Sequence, residues 1–448
     1  MLTVDDARDR AADLVARARA AGADAADVVY AASGSTAVQV RLGALEDVER
    51  SEGQEIGLRA FVGQRSASVS GSDMSPAALA TLADRCVAMA RLAPEDPYAG
   101  FAPDDMLAKA AVPNLDIDDG GEVSPEELRE AALIAEEAGR AIGGVTNSQG
   151  ASGSGGRSVT ALATSHGFAA AYSGSSHGVS AQMLAGDGAS MQRDYHYSST
   201  RYRADLDDPA TIGAEAGRRA VARLNPERLK SGPMTVIFDP RVSASLIGHL
   251  ASAINGASVA RGTTFLKDAL GTRVFSKGIT IVDDPLRRRG LRSRPYDAEG
   301  LPTRVTKLIE DGMLTGWIAD SAAARQLGIA PTGHATRGVS GPPGAGLSNV
   351  HLEPGDVTPE ALMADIADGF YVTELIGQGI NGLTGDYSRG ASGFAIRGGQ
   401  ICGPVAEVTI AGTLQAMFAA LIPANDLVFD HAVNAPTVRI DGMTLAGA

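Results

Sequence analysis

Two clusters of short strand-like runs, with no helix inside either, restrict this chain's fold more than any other feature. The first is "DVVYAAS", "TAVQVRL", "IGLRAFV" and "SASVSGS", within residues 27–72; the second is "GVTNSQGAS", "SVTALATS", "FAAAYSG" and "VSAQMLAGDG", within residues 144–188. Strands joined this closely pair antiparallel, because parallel pairing needs a crossover of about a dozen residues or more. Each cluster is bracketed by helices with clear start signals. Thr3 precedes the apolar stripe Val4, Ala7, Ala11, Leu14, Val15 and Ala18. Ser75-Pro76 opens a second helix, and Ser124-Pro125-Glu126-Glu127 forms a capping box with proline at the first helical position. Asp208-Pro209 opens a fourth helix and Asp239-Pro240 a fifth.

The expected class is therefore α+β, with two helix–four-strand–helix units built on antiparallel sheets. The units span residues 1–93 and 124–226, and an Asp- and Pro-rich linker, 94–123, joins them. A strand-rich C-terminal domain follows over 227–448, with the fifth helix and its turn at 240–256. Its glycine-rich connections include "GHATRGVSGPPGAGLSNVHLEPGD", near residues 333–356.

Composition narrows the function classes. The 448 residues carry a formal charge of −14, which disfavours nucleic acid or an anionic membrane as a general partner. No apolar stretch approaches the roughly 20 residues of a membrane span, and the N-terminus lacks a secretory pattern. The expected location is cytoplasmic. Two cysteines, Cys86 and Cys402, exclude a disulfide framework and a Cys-rich metal site.

Taken singly, the chemical motifs are weak. No two of His166, His177, His196, His249, His334, His351 and His431 have the spacing that places two imidazoles on one metal from one helix. His249 shares a stripe with Val242, Leu246, Leu250 and Ala253, and reads as a packed residue donating to a backbone carbonyl. "GSSHG" (174–178) puts Ser176 in the place of a nucleophile, but its flanks are strand-like where an elbow needs a helix next. "GQGING" (377–382) is followed by "LTGDYSRGASG", too glycine-rich for the helix that a phosphate site needs, and reads as a shaped loop. "RRRGLRSR" (287–294) is either a phosphate patch or a solvated loop paired with acids such as Asp283, Asp284, Asp297 and Glu299.

Several segments in order, "INGASVARGTTFLKDALG", "SRPYDAEGLPT", "LIEDGMLTGWIADSAAARQLG", "TGHATRG", "GINGLTGDYSRGASGF" and "EVTIAGTL", resemble the PmbA/TldD family. They are similar to its PmbA branch, also called TldE, and "IGLRAFVGQRSASVSGSDMS" resembles the same branch. The resemblance implies a pairing with a TldD-like zinc peptidase subunit, whose H-E-x-x-x-H helix and C-terminal cysteine hold the metal. With Arg261-Gly262-Thr263 as anchor, Ile247 stands at the first histidine, Gly248 at the glutamate and Ser252 at the second histidine. His249 is out of register, and "FDHAVNAPTVRIDGMTLAG" supplies no cysteine. The resemblance thus implies no catalytic residue and no metal on this chain, zinc on the partner, and unfolded or flexible peptides as substrates. It leaves open self-pairing into a homodimer, an autonomous hydrolase using Ser176 or an unforeseen metal arrangement, and a purely regulatory scaffold.

Overall fold

The computed structural model of the chain describes residues 1–109 and 113–448. All five marked helices begin where their caps stand: Val4–Ala20, Pro76–Leu92, Pro125–Arg140, Pro209–Ala222 and Pro240–Ala253. The Ser124–Glu127 capping box is closed in both directions. Asp208 precedes its helix without a side-chain cap bond.

The class and the antiparallel pairing agree with the expectation, whereas the strand count does not. Each unit contributes two long strands and one shorter one in place of four short ones, and the six form one sheet. Its spatial order is Arg65–Gly71, Ala44–Val62, Ala25–Arg41, Val145–Thr164, Ala169–Ala185 and Gln192–Thr200. The first two runs of each cluster are a single strand, and "FAAAYSG" and "VSAQMLA" are another. The Gly/Ser stretches read as breaks lie within the ladder, where Gly34 faces Arg157 and Ser35 faces Gly156. A reason for the missing side chains is visible at Gly153, where a Cβ would come within 2.5 Å of the Leu128 carbonyl oxygen. The glycine lets the helix backbone lie directly on the sheet.

One face of the sheet carries the four N-terminal helices. Leu14, Val15, Leu79, Cys86 and Val87 pack on Val28, Tyr30, Ile56 and Leu58, and Ala132, Ala135, Ile212 and Ala216 pack on Val179, Ala181 and Met183. On the other face, Val29, Leu162 and Phe168 meet Tyr296 of the C-terminal region. Segment 94–123, apart from residues 110–112, which lie outside the described residues, is tied down at several points. Arg325 donates to the carbonyls of Tyr98, Gly100 and Phe101, Ala108 N–H to that of Gly300, and Ser175 N–H to that of Ile117.

The C-terminal region contains a closed ring of strands. Gly232–Phe238, Asp368–Ile376, Asp386–Arg397, Gln400–Thr413 and Val438–Ala446 pair in succession, and the last returns to Gly232–Phe238. Closure removes the open edges that a flat sheet would present. Helix Pro240–Ala253 packs against this ring through Val242, Leu246, Ile247 and Leu250, which share a core with Phe238, Phe370 and Val372. Among the described residues, no helix is long and apolar enough to cross a membrane.

Candidate functional site

Helix Pro240–Ala253 is fixed at its start by Asp239, whose carboxylate accepts the Arg241 N–H at 3.0 Å. Beyond it, Asn255 caps a short helix, Gly256–Ala260, and Gly262 turns the chain with φ +66°. The three positions singled out on the long helix point in different directions. Ile247 is sunk in the core at 2% exposure. Gly248 is exposed, with nothing within 4 Å of where a Cβ would stand. Ser252 is also exposed, and its hydroxyl donates to the Gly248 carbonyl at 3.1 Å. Five residues of regular α-helix turn about 140° beyond a full circle, so Ile247 and Ser252 do not share a face.

His249 does not make the backbone hydrogen bond expected of it. Its Nε2 is buried without a partner, and its ring stands edge-on to Tyr387 at 5.9 Å between centroids. Burial, and then the Arg389 charge, pushes its pKa down, so the ring is neutral near pH 7. The Tyr387 hydroxyl and Arg389 Nε are likewise buried without partners.

The other motifs resolve as structure. Ser176 is exposed in the middle of strand Ala169–Ala185, facing Gly156 across the ladder. Its neighbour His177 points to the opposite face, with Nε2 2.7 Å from Asp119 Oδ2. Serine and histidine therefore do not form a nucleophile–base pair. "GQGING" is a loop between strands Asp368–Ile376 and Asp386–Arg397, with no helix after it. The acids expected to pair with the arginine loop are occupied elsewhere: Asp283 with Ser348, Asp284 with Leu286 N–H, Asp297 with three backbone N–H groups, and Glu299 with Ser321. Arg288 and Arg289 pair instead with Asp116, Arg289 also with Asp205, and Arg287 lies over the Phe429 ring at 4.0 Å. Cys86 is buried, its thiol pushed up to about 11 by that burial, and Cys402 is exposed on another strand. Among the described residues, no three His, Cys, Asp or Glu side chains converge as a metal site.

A surface that sequence reasoning missed is a cleft of about 890 Å³ between edge strand Gln192–Thr200 and the C-terminal region. Tyr195 and Tyr197 stand on that strand's exposed face, and Tyr197 stacks on His431 at 5.1 Å. The period-two aromatic pair in "RDYHYSS" was the available signal.

Residues 26–90, 118–224 and 231–447 match domain 1, the central domain and the C-terminal domain of the PmbA/TldA metallopeptidase family. The chain is 36% identical to Metalloprotease PmbA of Escherichia coli O157:H7 over 426 residues, covering 95% of this chain and 92% of that one. It is 34% identical to the Metalloprotease PmbA homolog of Haemophilus influenzae over 432 residues, covering 95% and 93%. A crystal structure from Bacteroides thetaiotaomicron, described as a modulator of DNA gyrase, superposes with TM-score 0.91 at 26% identity over the whole of both chains. TldE from Thermococcus kodakarensis superposes with TM-score 0.87 at 22% identity over 98% of this chain and 100% of that one, a likeness of fold. With three consecutive domains matched and relatives above 30% identity along 95% of its length, this chain belongs to the PmbA/TldD metallopeptidase family.

Proposed function

We propose that this chain is the subunit of a two-chain TldD/TldE-type peptidase that does not itself hold the metal. On this reading it binds and encloses extended or unfolded peptides, which are cut at the zinc of a homologous TldD-like partner in the cytoplasm. One observation carries the proposal. At the three helix positions that correspond by resemblance to the partner's ligands and base, the chain has a core isoleucine, a glycine and a self-satisfied serine. Zinc needs three or four N, S or O donors converging at about 2.0–2.3 Å. The residues here do not fit that demand.

The experiment measures the zinc content of the purified chain and the cleavage of an unfolded peptide by this chain, by the partner and by their mixture. The expected results are substoichiometric zinc, no turnover by this chain alone, and faster cleavage by the mixture than by the partner. The name metalloprotease borne by the relatives favours a second reading, an autonomous peptidase. Stoichiometric zinc with turnover in isolation would establish it and overturn ours. A mixture no faster than the partner alone would favour the scaffold.

A further inference from the structure

At one end of the cleft along strand Gln192–Thr200 lies a smaller pocket of about 300 Å³, which shares Tyr195 and Arg241 with it. Four arginines line the pocket, Arg193, Arg223, Arg241 and Arg389, with two acids, Asp194 and Glu374. Both acids are already occupied: Asp194 holds Arg241 at 3.0 Å and Arg223 at 3.3 Å, and Glu374 holds Arg223. Arg193 and Arg389 have no carboxylate partner among the described residues, and Arg389 Nε is buried with no hydrogen-bond partner at all. A buried donor left open is destabilising unless something supplies an acceptor. The planar fork of a guanidinium suits a carboxylate.

The cleft leading to this pocket is shaped for a chain. Among the described residues, no other strand pairs with the outer edge of Gln192–Thr200, and open edges of this kind accept an extended peptide through its backbone. The cleft also holds Asp207 and Asp430, neither in an ion pair among the described residues. Six arginines, Arg201, Arg219, Arg241, Arg287, Arg288 and Arg289, line the same cleft, so these acids do not set its charge. The pair Arg193 and Arg389, left without a carboxylate, is what suits the smaller pocket to one negative group.

We propose that the Arg193–Arg389 pocket takes a carboxylate of a peptide lying extended in the cleft, either its C-terminal group or an acidic side chain. This rests on the reading that the chain holds peptides. The probe is a Val-Thr-Val-Thr-Val-Glu peptide with a free C-terminus and an uncharged BODIPY label at its N-terminus, its binding to the full chain followed by anisotropy. Three further versions are compared: C-terminally amidated, with Gln in place of Glu, and with both changes. The doubly neutral peptide is expected to bind at least tenfold more weakly than the parent. Whichever single change reproduces that loss identifies the carboxylate. Arg193→Gln and Arg389→Gln are each expected to shrink the discrimination to under threefold, with Arg193→Lys restoring part of it. Arg193 is exposed, so its variants keep the test decisive if Arg389→Gln melts early. The pocket proposal is overturned if wild-type chain binds neutral and acidic peptides alike, or if Arg193→Gln keeps full discrimination. Failure of the functional reading is distinguishable: a chain that prefers the acidic peptide yet adds nothing to the partner's cleavage keeps the pocket and loses the function.

Discussion

Arg337 and Asp27 form an ion pair across 310 residues, joining a C-terminal loop to the first strand of the N-terminal sheet. The Arg337 side chain is completely buried, and Asp27 also accepts Arg59 Nε at 2.9 Å. One carboxylate thus answers two guanidinium groups. Burial alone would raise the Asp27 pKa, but Arg59 and Arg337 outweigh it and hold the carboxyl below its usual range.

Removing that carboxylate leaves two buried cations facing each other. Asp27→Asn is expected to lower stability by about 3–5 kcal/mol, the range for breaking one side of a buried pair. Because the folded pKa is depressed, this contribution is present above about pH 4 and is lost as pH falls through the folded pKa. Urea titrations of wild type and variant at several pH values check both statements. The two curves should converge in acid.

Glu299 has the opposite sign. Burial, with Asp297 beside it, pushes its carboxyl up to about 7, against the hydrogen bonds from Ser321 and the charge of Arg59. The folded state therefore favours the protonated form, and stability is lost as pH rises from about 4.3 towards 7. Full ionisation in place costs on the order of 3 kcal/mol. Glu299→Gln keeps an oxygen for the Ser321 N–H, which now donates at 2.8 Å. The variant should lose less stability than wild type between about pH 5 and 7.5, as read from thermal midpoints in matched buffers. An unchanged slope would show that Glu299 is ionised throughout that range.

Local signals in the sequence carried far, and long-range ones did not. Helix starts are written in adjacent residues, and Thr3, Ser75, Ser124 and Asp239 each cap as read. Strand continuity through Gly153–Gly156 was hidden, because glycine is locally a breaker and its use here depends on Leu128 in a distant helix. Strand Gln192–Thr200 was missed because its alternation is polar against aromatic rather than polar against aliphatic. The arginine pocket joins residues from a sheet edge, a helix start and a closed ring of strands, a juxtaposition no spacing encodes.

Ile247 and Gly248 are neighbours with opposite tolerances. Ile247→His puts an imidazole into a packed core with no partner in view, and is expected to destabilise the chain by about 2–4 kcal/mol without creating a metal site. Gly248→Ala adds a methyl group in open space on an exposed helix position and should stabilise by about 0.5–1 kcal/mol. Denaturant midpoints, with zinc binding followed by calorimetry, check the pair. Tight zinc binding by the Ile247→His chain would show that the helix retains a usable ligand set.

His249 lies against Tyr387 with its Nε2 unsatisfied. Replacement by alanine removes ring packing and should lower stability by about 1 kcal/mol or more. Replacement by phenylalanine keeps the ring and deletes the orphaned polar atom, so it should be neutral or stabilising. The two variants separate packing from hydrogen bonding, because a hydrogen-bonded histidine would suffer from both. Burial depresses the His249 pKa, so wild type binds fewer protons folded than unfolded and loses stability as pH falls below about 6.5. His249→Phe should lose less on the same acidification, measured by denaturant midpoints at pH 7.5 and about pH 5.5. If the phenylalanine variant proves less stable than the alanine variant, the imidazole is making a bond that the packing around Tyr387 does not reveal.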